Sequence, residues 1–261
     1  MHLRLIRHAT LRLELGGCHV IVDPMLDAAG ARPAVEGTEN DRRNPLVELP
    51  EPAEVVVAGL DAALVTHLHQ DHFDAAAAKL LPKDLPLFCQ PEDVERLSGH
   101  GFGDLRPVGE NVDWEGIGIT RVPARHGSGA DAEALAPVSG FVLRDTDGRT
   151  LYLAGDTVLY EGVEQTLAAH RPDVVVVNTS GARFAGGQPI VMTARDVVAV
   201  ARLAPAARIV AVHLEAINHC IETRADLHQL LHEEDLTERV TVPENGAAVP
   251  VDQPPARAPA P

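Results

Sequence analysis

The stretch Thr66-His67-Leu68-His69-Gln70-Asp71-His72 places three imidazoles and a carboxylate within a few consecutive positions. It directly follows the apolar run 62–65, which predicts a buried strand. Side chains alternate between the two faces of an extended segment, so we expect His67 and His69 to point the same way. Asp71 and His72 then fall where the strand gives way to a turn. Because imidazoles and carboxylates are ligands of divalent transition metals, the stretch predicts a metal site.

Three later residues with the same chemistry each lie at the end of a predicted strand. His126 follows the strand predicted over 117–123, Asp156 follows the one over 150–154, and His213 ends the one over 208–213. Taken alone, each has a plainer interpretation: a loop histidine, a turn or helix-capping aspartate, and a hydrogen-bonded core histidine. Their shared position at strand ends favours one site that also includes the first stretch.

The pattern His-x-His-x-Asp-His resembles the signature of the metallo-β-lactamase superfamily. His126, Asp156 and His213 match, in order, the third histidine, the bridging aspartate and the last histidine of that family. The similarity runs from residue 4 to residue 242. It implies an α+β fold, the four-layer αββα sandwich, in which two mixed β-sheets pack face to face with helices outside. We expect one domain over 1–249 and a disordered Pro- and Ala-rich tail over 250–261.

The resemblance also implies the ligand sets. One metal ion would be held by His67, His69 and His126, the other by Asp71, His72 and His213, and Asp156 would bridge them. His219 follows closely and is an open alternative to His213, which is preferred because it ends the strand pattern. The implied cofactors are two divalent ions, with Zn²⁺ preferred and Mn²⁺ or Fe²⁺ as alternatives, since such sites accept several metals.

The chemistry implied by this resemblance is hydrolysis. Two divalent ions can share a hydroxide and stabilise the negative charge that develops during attack. Glutamate replaces the second histidine of the motif in the oxygen-reducing branch of the family, so His69 favours hydrolysis. The chain looks most like the L-ascorbate-6-phosphate lactonase-like branch, which implies a small-molecule lactone or phosphoester substrate. A nuclease or phosphodiesterase of this fold and a metal-binding scaffold without turnover remain alternatives.

Further side chains are candidates for supporting roles. Asp23, in an Asp-Pro pair at a strand end, is expected to orient a ligand histidine or the loop beside it, and Thr157 is expected to support the neighbouring Asp156. His8 matches a Gly-His-Ala element of the lactonase-like branch and has either a catalytic or a structural role. With Asp71 and His219 it completes the candidate catalytic residues. The candidate substrate contacts are Asn178, Ser180, Arg42 and Arg43, although the two arginines also suit a solvated loop.

Composition limits the partners. A net charge of −16 argues against nucleic acid and against an anionic membrane surface. The 3 cysteines lack a Cys-x-x-Cys pair, which suits a reduced cytoplasm, and the N-terminal stretch lacks the apolar core of a signal peptide. We therefore expect a cytoplasmic protein whose partner is a small-molecule substrate. The resemblance also allows a homo-oligomer, because many relatives associate.

Overall fold

The computed structural model describes residues 1–251; the predicted tail lies, from residue 252 onward, outside the described residues. The strands are β1 (His2–Arg7), β2 (Thr10–Leu15), β3 (Cys18–Val22), β4 (Ala62–Val65), β5 (Leu87–Cys89), β6 (Leu105–Pro107), β7 (Asn111–Trp114), β8 (Ile117–Pro123), β9 (Ser139–Arg144), β10 (Thr150–Leu153), β11 (Val174–Asn178), β12 (Arg208–Val212), β13 (Val240–Thr241) and β14 (Ala248–Val249). They form two seven-stranded sheets. The first sheet has the order β14-β1-β2-β3-β4-β5-β6, and the second has the order β13-β12-β11-β10-β9-β8-β7.

The helices lie between the strands along the chain. They are α1 (Ala53–Val56), α2 (Ala75–Leu80), α3 (Val94–Gly99), α4 (Ala130–Ala134), α5 (Glu161–His170), α6 (Ala194–Leu203) and α7 (Arg224–Glu233), with a short 3-10 turn over Pro91–Asp93 before α3. Within residues 1–251, no helix has the length and apolar character needed to cross a membrane.

The alternation of side chains along the strands builds the layers. In β10, Leu151 and Leu153 pack between the two sheets, whereas Tyr152 packs outward against α5, α6 and α7. In β4, Leu64 packs between the sheets, whereas Val65 packs outward with residues of α2 and α3. Each fully buried leucine or valine contributes about 1.5–3 kcal/mol. Three apolar layers therefore separate four layers of secondary structure, which confirms the predicted αββα sandwich.

Parallel strands bring the functional loops to one edge. β3, β4, β5 and β6 run parallel in the first sheet, and β10, β11, β12 and β13 run parallel in the second. The loops that follow parallel strands emerge at the same edge of a sheet, where ligands commonly bind. Both halves of the chain thus deliver strand ends to one region.

The helices predicted from periodicity, at 74–81, 91–99, 160–170, 193–203 and 223–234, are confirmed. Four elements were not predicted: α1, α4, β7 and β14. The first two have 4 and 5 residues and β14 has 2, so none presents a full period of apolar residues.

Candidate metal centre

The candidate ligands lie in the loops that leave the strand ends, where the backbone is strained. His8, Asp23 and His213 adopt positive φ angles of 61°, 45° and 72°, which residues other than glycine rarely adopt. Gly155 precedes Asp156 at φ +65°, and a Cβ atom there would lie 2.7 Å from the carbonyl oxygen of Ser139. Only glycine therefore lets the chain turn sharply enough after β10 to present Asp156. Strain of this kind concentrates at functional sites.

Asp156 lies between two groups of imidazoles. Its Oδ1 is 3.2 Å from Nε2 of His72 and 3.4 Å from Nε2 of His213. Its Oδ2 is 3.3 Å from Nε2 of His126 and 4.0 Å from Nε2 of His67. Each carboxylate oxygen thus faces a different pair of histidines, which is the arrangement that a bridging ligand needs.

The remaining predicted ligands complete these two groups. Nδ1 of His69 lies 3.0 Å from Nε2 of His67. Oδ2 of Asp71 lies 3.5 Å from Nε2 of His213 and 3.9 Å from Nε2 of His72. Candidate ligand atoms within 4.8 Å of one another form three groups: His8, Asp71, His72 and His213; His67, His69 and His126; and His67, His72 and Asp156.

Asp23 fixes the orientation of two of these histidines. Its Oδ1 accepts a hydrogen bond from the backbone N–H of Thr66 (2.7 Å), and its Oδ2 accepts from Nδ1 of His72 (2.8 Å). The Thr66 hydroxyl donates to Oδ2 (2.8 Å), so its oxygen is free to accept from Nδ1 of His67 (3.0 Å). Both imidazoles then carry their proton on Nδ1 and present the Nε2 lone pair to Asp156.

The loop that bears His126 is held in a similar way. Nδ1 of His126 donates to the carbonyl of Ile190 (2.8 Å). The hydroxyl of Thr157 accepts from the backbone N–H of Arg125 (3.0 Å) and donates to the carbonyl of Val158 (2.9 Å). Thr157 therefore ties the His126 loop to the Asp156 loop, and Asn178 donates to Oδ1 of Asp156 at 2.7 Å.

The electrostatics of the cluster call for a positive charge. Burial alone would lower the pKa of His72, but the carboxylates of Asp156, Asp23 and Asp71 raise it to about 10. Burial would likewise raise the pKa of Asp156, yet the surrounding histidines, His213 foremost, hold it well below its usual range. Buried carboxylates at this density are stable only beside protonated imidazoles or metal cations.

The donor set fits divalent metal ions. The Nε2 atoms of His72 and His213 are buried and lack a hydrogen-bond partner among residues 1–251. If His72 were neutral with its proton on Nδ1, its Nε2 lone pair would face a carboxylate oxygen that has no proton to donate. A cation between the two removes this repulsion. The cluster is therefore able to bind a metal, and the Nδ1 atoms of His67, His72 and His126 are already held by hydrogen bonds.

His8 belongs to this cluster, and its Nε2 lies 3.2 Å from Oδ2 of Asp71. Its ring packs on that of His213 with centroids 3.6 Å apart, and its carbonyl accepts from the His213 backbone N–H. His8 thus contacts two predicted ligands of the same group and connects the β1–β2 turn to the end of β12.

A cavity of about 490 Å³ opens beside the cluster. Its polar lining includes His69, Asp71, His126 and His219. Its apolar lining consists of Ala34, Val35, Leu135, Phe184, Ile190 and Ile217. Burial lowers the pKa of His219 to about 4, so this residue is neutral at physiological pH. Because His219 is a wall residue of the cavity while His213 lies within the cluster, the geometry favours His213 as the last ligand.

The four candidate substrate contacts do not line this cavity. Arg43 donates to the carbonyls of Gly30 and Ala31, and Arg42 is exposed. Asn178 is occupied by Asp156, and Ser180 is buried. Their placement argues against the predicted substrate contacts and makes Asn178 a support for Asp156 instead.

Several cavity residues were not predicted from the sequence. They come from the loops over 33–44 and 182–191, neither of which shows the apolar periodicity of a helix or a strand.

Comparison with known proteins agrees with this geometry. Residues 19–214 match the model of the beta-lactamase superfamily domain. UPF0173 protein YddR of Bacillus subtilis (strain 168) is 33% identical over 249 residues, which cover 94% of this chain and 98% of that protein.

Two solved structures are similar over 95% of this chain and 98% of each of theirs. One is described as a possible metal-dependent hydrolase from Veillonella parvula DSM 2008, with a TM-score of 0.92 and 31% identity. The other is an isothiocyanate hydrolase from Delia radicum gut bacteria, with a TM-score of 0.91 and 34% identity. The chain therefore belongs to the beta-lactamase superfamily and is a metal-dependent hydrolase of the metallo-β-lactamase fold.

Proposed function

We propose that this protein is a dinuclear hydrolase that adds water to an electrophilic carbon of a small, neutral, largely apolar molecule, with isothiocyanates as the first substrate class. The observation that carries the proposal is the cavity beside the metal cluster, whose wall exposes more apolar than polar surface. The similar structure of an isothiocyanate hydrolase supports this choice of substrate.

In this proposal His67, His69 and His126 hold one divalent ion, Asp71, His72 and His213 hold the other, and Asp156 contacts both. Zn²⁺ is the preferred ion, and Mn²⁺ and Fe²⁺ are the alternatives. Two ions held there would acidify a water molecule to a nucleophile at neutral pH and stabilise developing negative charge. Asp23 and Thr157 keep the ligands in place through their hydrogen bonds to His72 and to the backbone of the ligand-bearing loops.

His219 is the proposed proton carrier. It lines the cavity, and its Nδ1 is buried without a hydrogen-bond partner in the described part of the chain. A neutral imidazole can donate one proton and accept another, so His219 can hydrogen-bond to the atom that leaves. For an isothiocyanate the balance is R–N=C=S + H₂O → R–NH₂ + COS, and the nitrogen is the atom that gains protons.

The charges of the cavity separate the substrate classes. Arg32 is the one cationic side chain of its wall, and its guanidinium pairs with Asp27 at 3.1 Å. Among residues 1–251, the cavity wall therefore offers an anionic phosphoester no unpaired cationic side chain, whereas a neutral isothiocyanate or lactone needs none. Each methylene of the substrate buried on the apolar wall contributes about 0.8 kcal/mol. A lactone is the second candidate, and a phosphodiester or nucleic acid ranks below both.

The test combines elemental analysis with turnover. Protein purified without chelator should contain two metal equivalents and should hydrolyse benzyl isothiocyanate in preference to a lactone or bis(p-nitrophenyl) phosphate. Asp156→Asn should lose at least one equivalent and slow turnover by about 10³-fold or more, because one carboxylate oxygen is replaced by an amide donor. A variant that keeps two metals and the full rate would contradict the bridging role. Metal binding without turnover of any of the three compounds would favour a non-enzymatic scaffold.

A further inference from the structure

The loop over residues 33–44, named here the strap, forms one wall of the cavity. Pro33, Ala34, Val35, Glu36 and Asn44 all line it. The strap contains neither a helix nor a strand. The backbone at its end is paired through one isolated β-bridge between Arg32 and Asn44. Its position must therefore come from contacts with other parts of the chain.

More of these contacts go to Asn218 than to any other residue. Oδ1 of Asn218 accepts from the backbone N–H of Val35 (2.9 Å) and from Nδ2 of Asn44 (2.7 Å). Its Nδ2 is the donor to three surrounding acceptors: the hydroxyl of Thr38 (2.6 Å) and the carbonyls of Asn40 (2.5 Å) and Val35 (3.3 Å). Its backbone N–H donates to Oδ1 of Asn44 (2.9 Å). Asn218 and Asn44 are both buried.

The sequence neighbours of Asn218 face the same cavity. Ile217 and His219 both line it, so Asn218 lies between an apolar contact and the proposed proton carrier. Asn218 thus ties the strap to the segment that carries Ile217. A buried amide with all its donors and acceptors engaged holds the strap more rigidly than apolar contacts do.

We propose that Asn218 is a positioning residue that determines substrate specificity by holding the strap as the apolar wall of the cavity. The substrate named in the test rests on the proposed function, whereas the contact between Asn218 and the strap does not. Without the amide, the strap leaves the cavity open, and substrates that depend on the apolar wall bind more weakly. The metal ligands and the chemical step are unaffected.

Two variants test this inference. Asn218→Ala removes every side-chain contact of this residue and keeps the backbone hydrogen bond to Asn44. Thr38→Val is the milder change, because it removes one hydroxyl from a half-buried residue and keeps the side-chain shape. Thr38→Ser keeps the hydroxyl and should restore wild-type behaviour. Asn111→Ala, at an exposed position on β7, is the matched control for loss of an asparagine side chain.

The first measurement is limited trypsin digestion, with cleavage mapped by mass spectrometry. The strap contains Arg42 and Arg43, whereas the bond after Arg32 precedes proline and resists trypsin. Cleavage after Arg42 and Arg43 should become about tenfold faster in Asn218→Ala and severalfold faster in Thr38→Val. It should be unchanged in Thr38→Ser and Asn111→Ala. Unchanged cleavage in both test variants would overturn the inference.

The second measurement separates binding from chemistry. KM for benzyl isothiocyanate should rise about tenfold in Asn218→Ala, with kcat within threefold and metal content unchanged. KM for methyl isothiocyanate should rise much less, because its methyl group is too small to make extensive contact with the apolar wall formed by the strap. A fall in kcat with unchanged KM, or equal effects on both substrates, would contradict a role in specificity. If the wild-type protein hydrolyses no isothiocyanate, the proposed substrate is wrong, and trypsin digestion still decides whether Asn218 holds the strap.

Discussion

At the scale of single residues, the metal centre depends on groups that are not themselves candidate ligands. Asp23 receives three donors and so settles which nitrogen of His67 and His72 carries the proton. A ligand histidine with the proton on Nε2 would be unable to bind a metal there. Orientation and protonation are thus set one contact away from the metal.

Asp23→Asn should weaken metal binding by about 10- to 100-fold while the fold persists, because an amide cannot accept from both Thr66 and His72. Competition with a chromophoric chelator measures the affinity. Asp61→Asn is the control, since this exposed carboxylate accepts from the His19 backbone far from the centre. Equal metal affinities in the two variants would contradict the proposed role of Asp23 in orienting the ligand histidines.

A second buried carboxylate predicts a pH dependence of stability. Burial raises the pKa of Asp93 from 3.8 to about 6, against the hydrogen bond from Gln90. The folded state therefore prefers the neutral acid. The stability that this preference contributes is complete below pH 4 and is lost as the pH rises through 6.

Asp93→Asn should remove that pH dependence, because the amide is neutral at every pH and still accepts from Gln90. At pH 7 the variant should be more stable than the wild type by about 1–2 kcal/mol, and at pH 4 the difference should vanish. Urea unfolding at both pH values measures it. A constant difference would show that the side-chain shape, not its charge, decides the stability.

The predictability of the site also differs from residue to residue. His67, His69, Asp71 and His72 lie in one contiguous motif, so local spacing was sufficient to find them. The amide pair of Asn44 and Asn218 joins positions 174 residues apart, both in segments without periodicity. No local pattern encodes such a pair, because its partners meet only after the sheets have packed.

At the scale of elements, the start of α6 supports the metal centre from behind. Thr193 and Asp196 form a capping box at the first turn of this helix. The preceding segment provides the Ile190 carbonyl that holds His126, and the Met192 carbonyl accepts from the backbone of Ser180. The helix start therefore fixes a segment that carries both cavity wall and ligand support.

Thr193→Ala should destabilise the protein by about 1 kcal/mol, since the backbone N–H of Asp196 loses its acceptor. Urea unfolding followed by the emission of Trp114, the single tryptophan, measures the change. Ser98→Ala, at an exposed position in α3, should stay within about 0.5 kcal/mol of the wild type. A Thr193 variant as stable as this control would show that the cap is dispensable.

Elements of full length were predictable because their apolar periodicity repeats. α6 repeats buried residues at helical spacing, and β10 is buried on both faces, as its short apolar run predicts. The pairing of strands into two sheets came instead from the family resemblance. Periodicity identifies which face of a strand is buried but does not say which strand lies beside it.

At the scale of the molecule, the metal centre joins the two sheets. His67, His69, Asp71 and His72 leave the first sheet, whereas His126, Asp156 and His213 leave the second. Metal bound by residues of both sets would add its binding free energy to the packing between the sheets. Without metal, the buried carboxylates depend on protonated histidines.

Removal of the metal should therefore lower thermal stability. An ion present at about 1,000 times its Kd contributes about 4 kcal/mol, which corresponds to about 8–16 °C in Tm for a domain of this size. Calorimetry before and after chelation measures the shift, and added Zn²⁺ should reverse it. Asp156→Ala should show a smaller response to the chelator, and an unchanged wild-type Tm would mean that the ions do not stabilise the packing of the sheets.

The pairing of β14 with β1 has a consequence for how the protein is made. Leu3 lies opposite Val249, and the backbone of Leu5 exchanges hydrogen bonds with Gly246 and Ala247. During synthesis on the ribosome, β1 emerges well before β14, so one of its edges stays open until residue 249 has been translated. An unpaired strand edge invites pairing with another nascent chain. The long interval between the two strands is thus a period of aggregation risk, in which binding of a chaperone to β1 would be most useful.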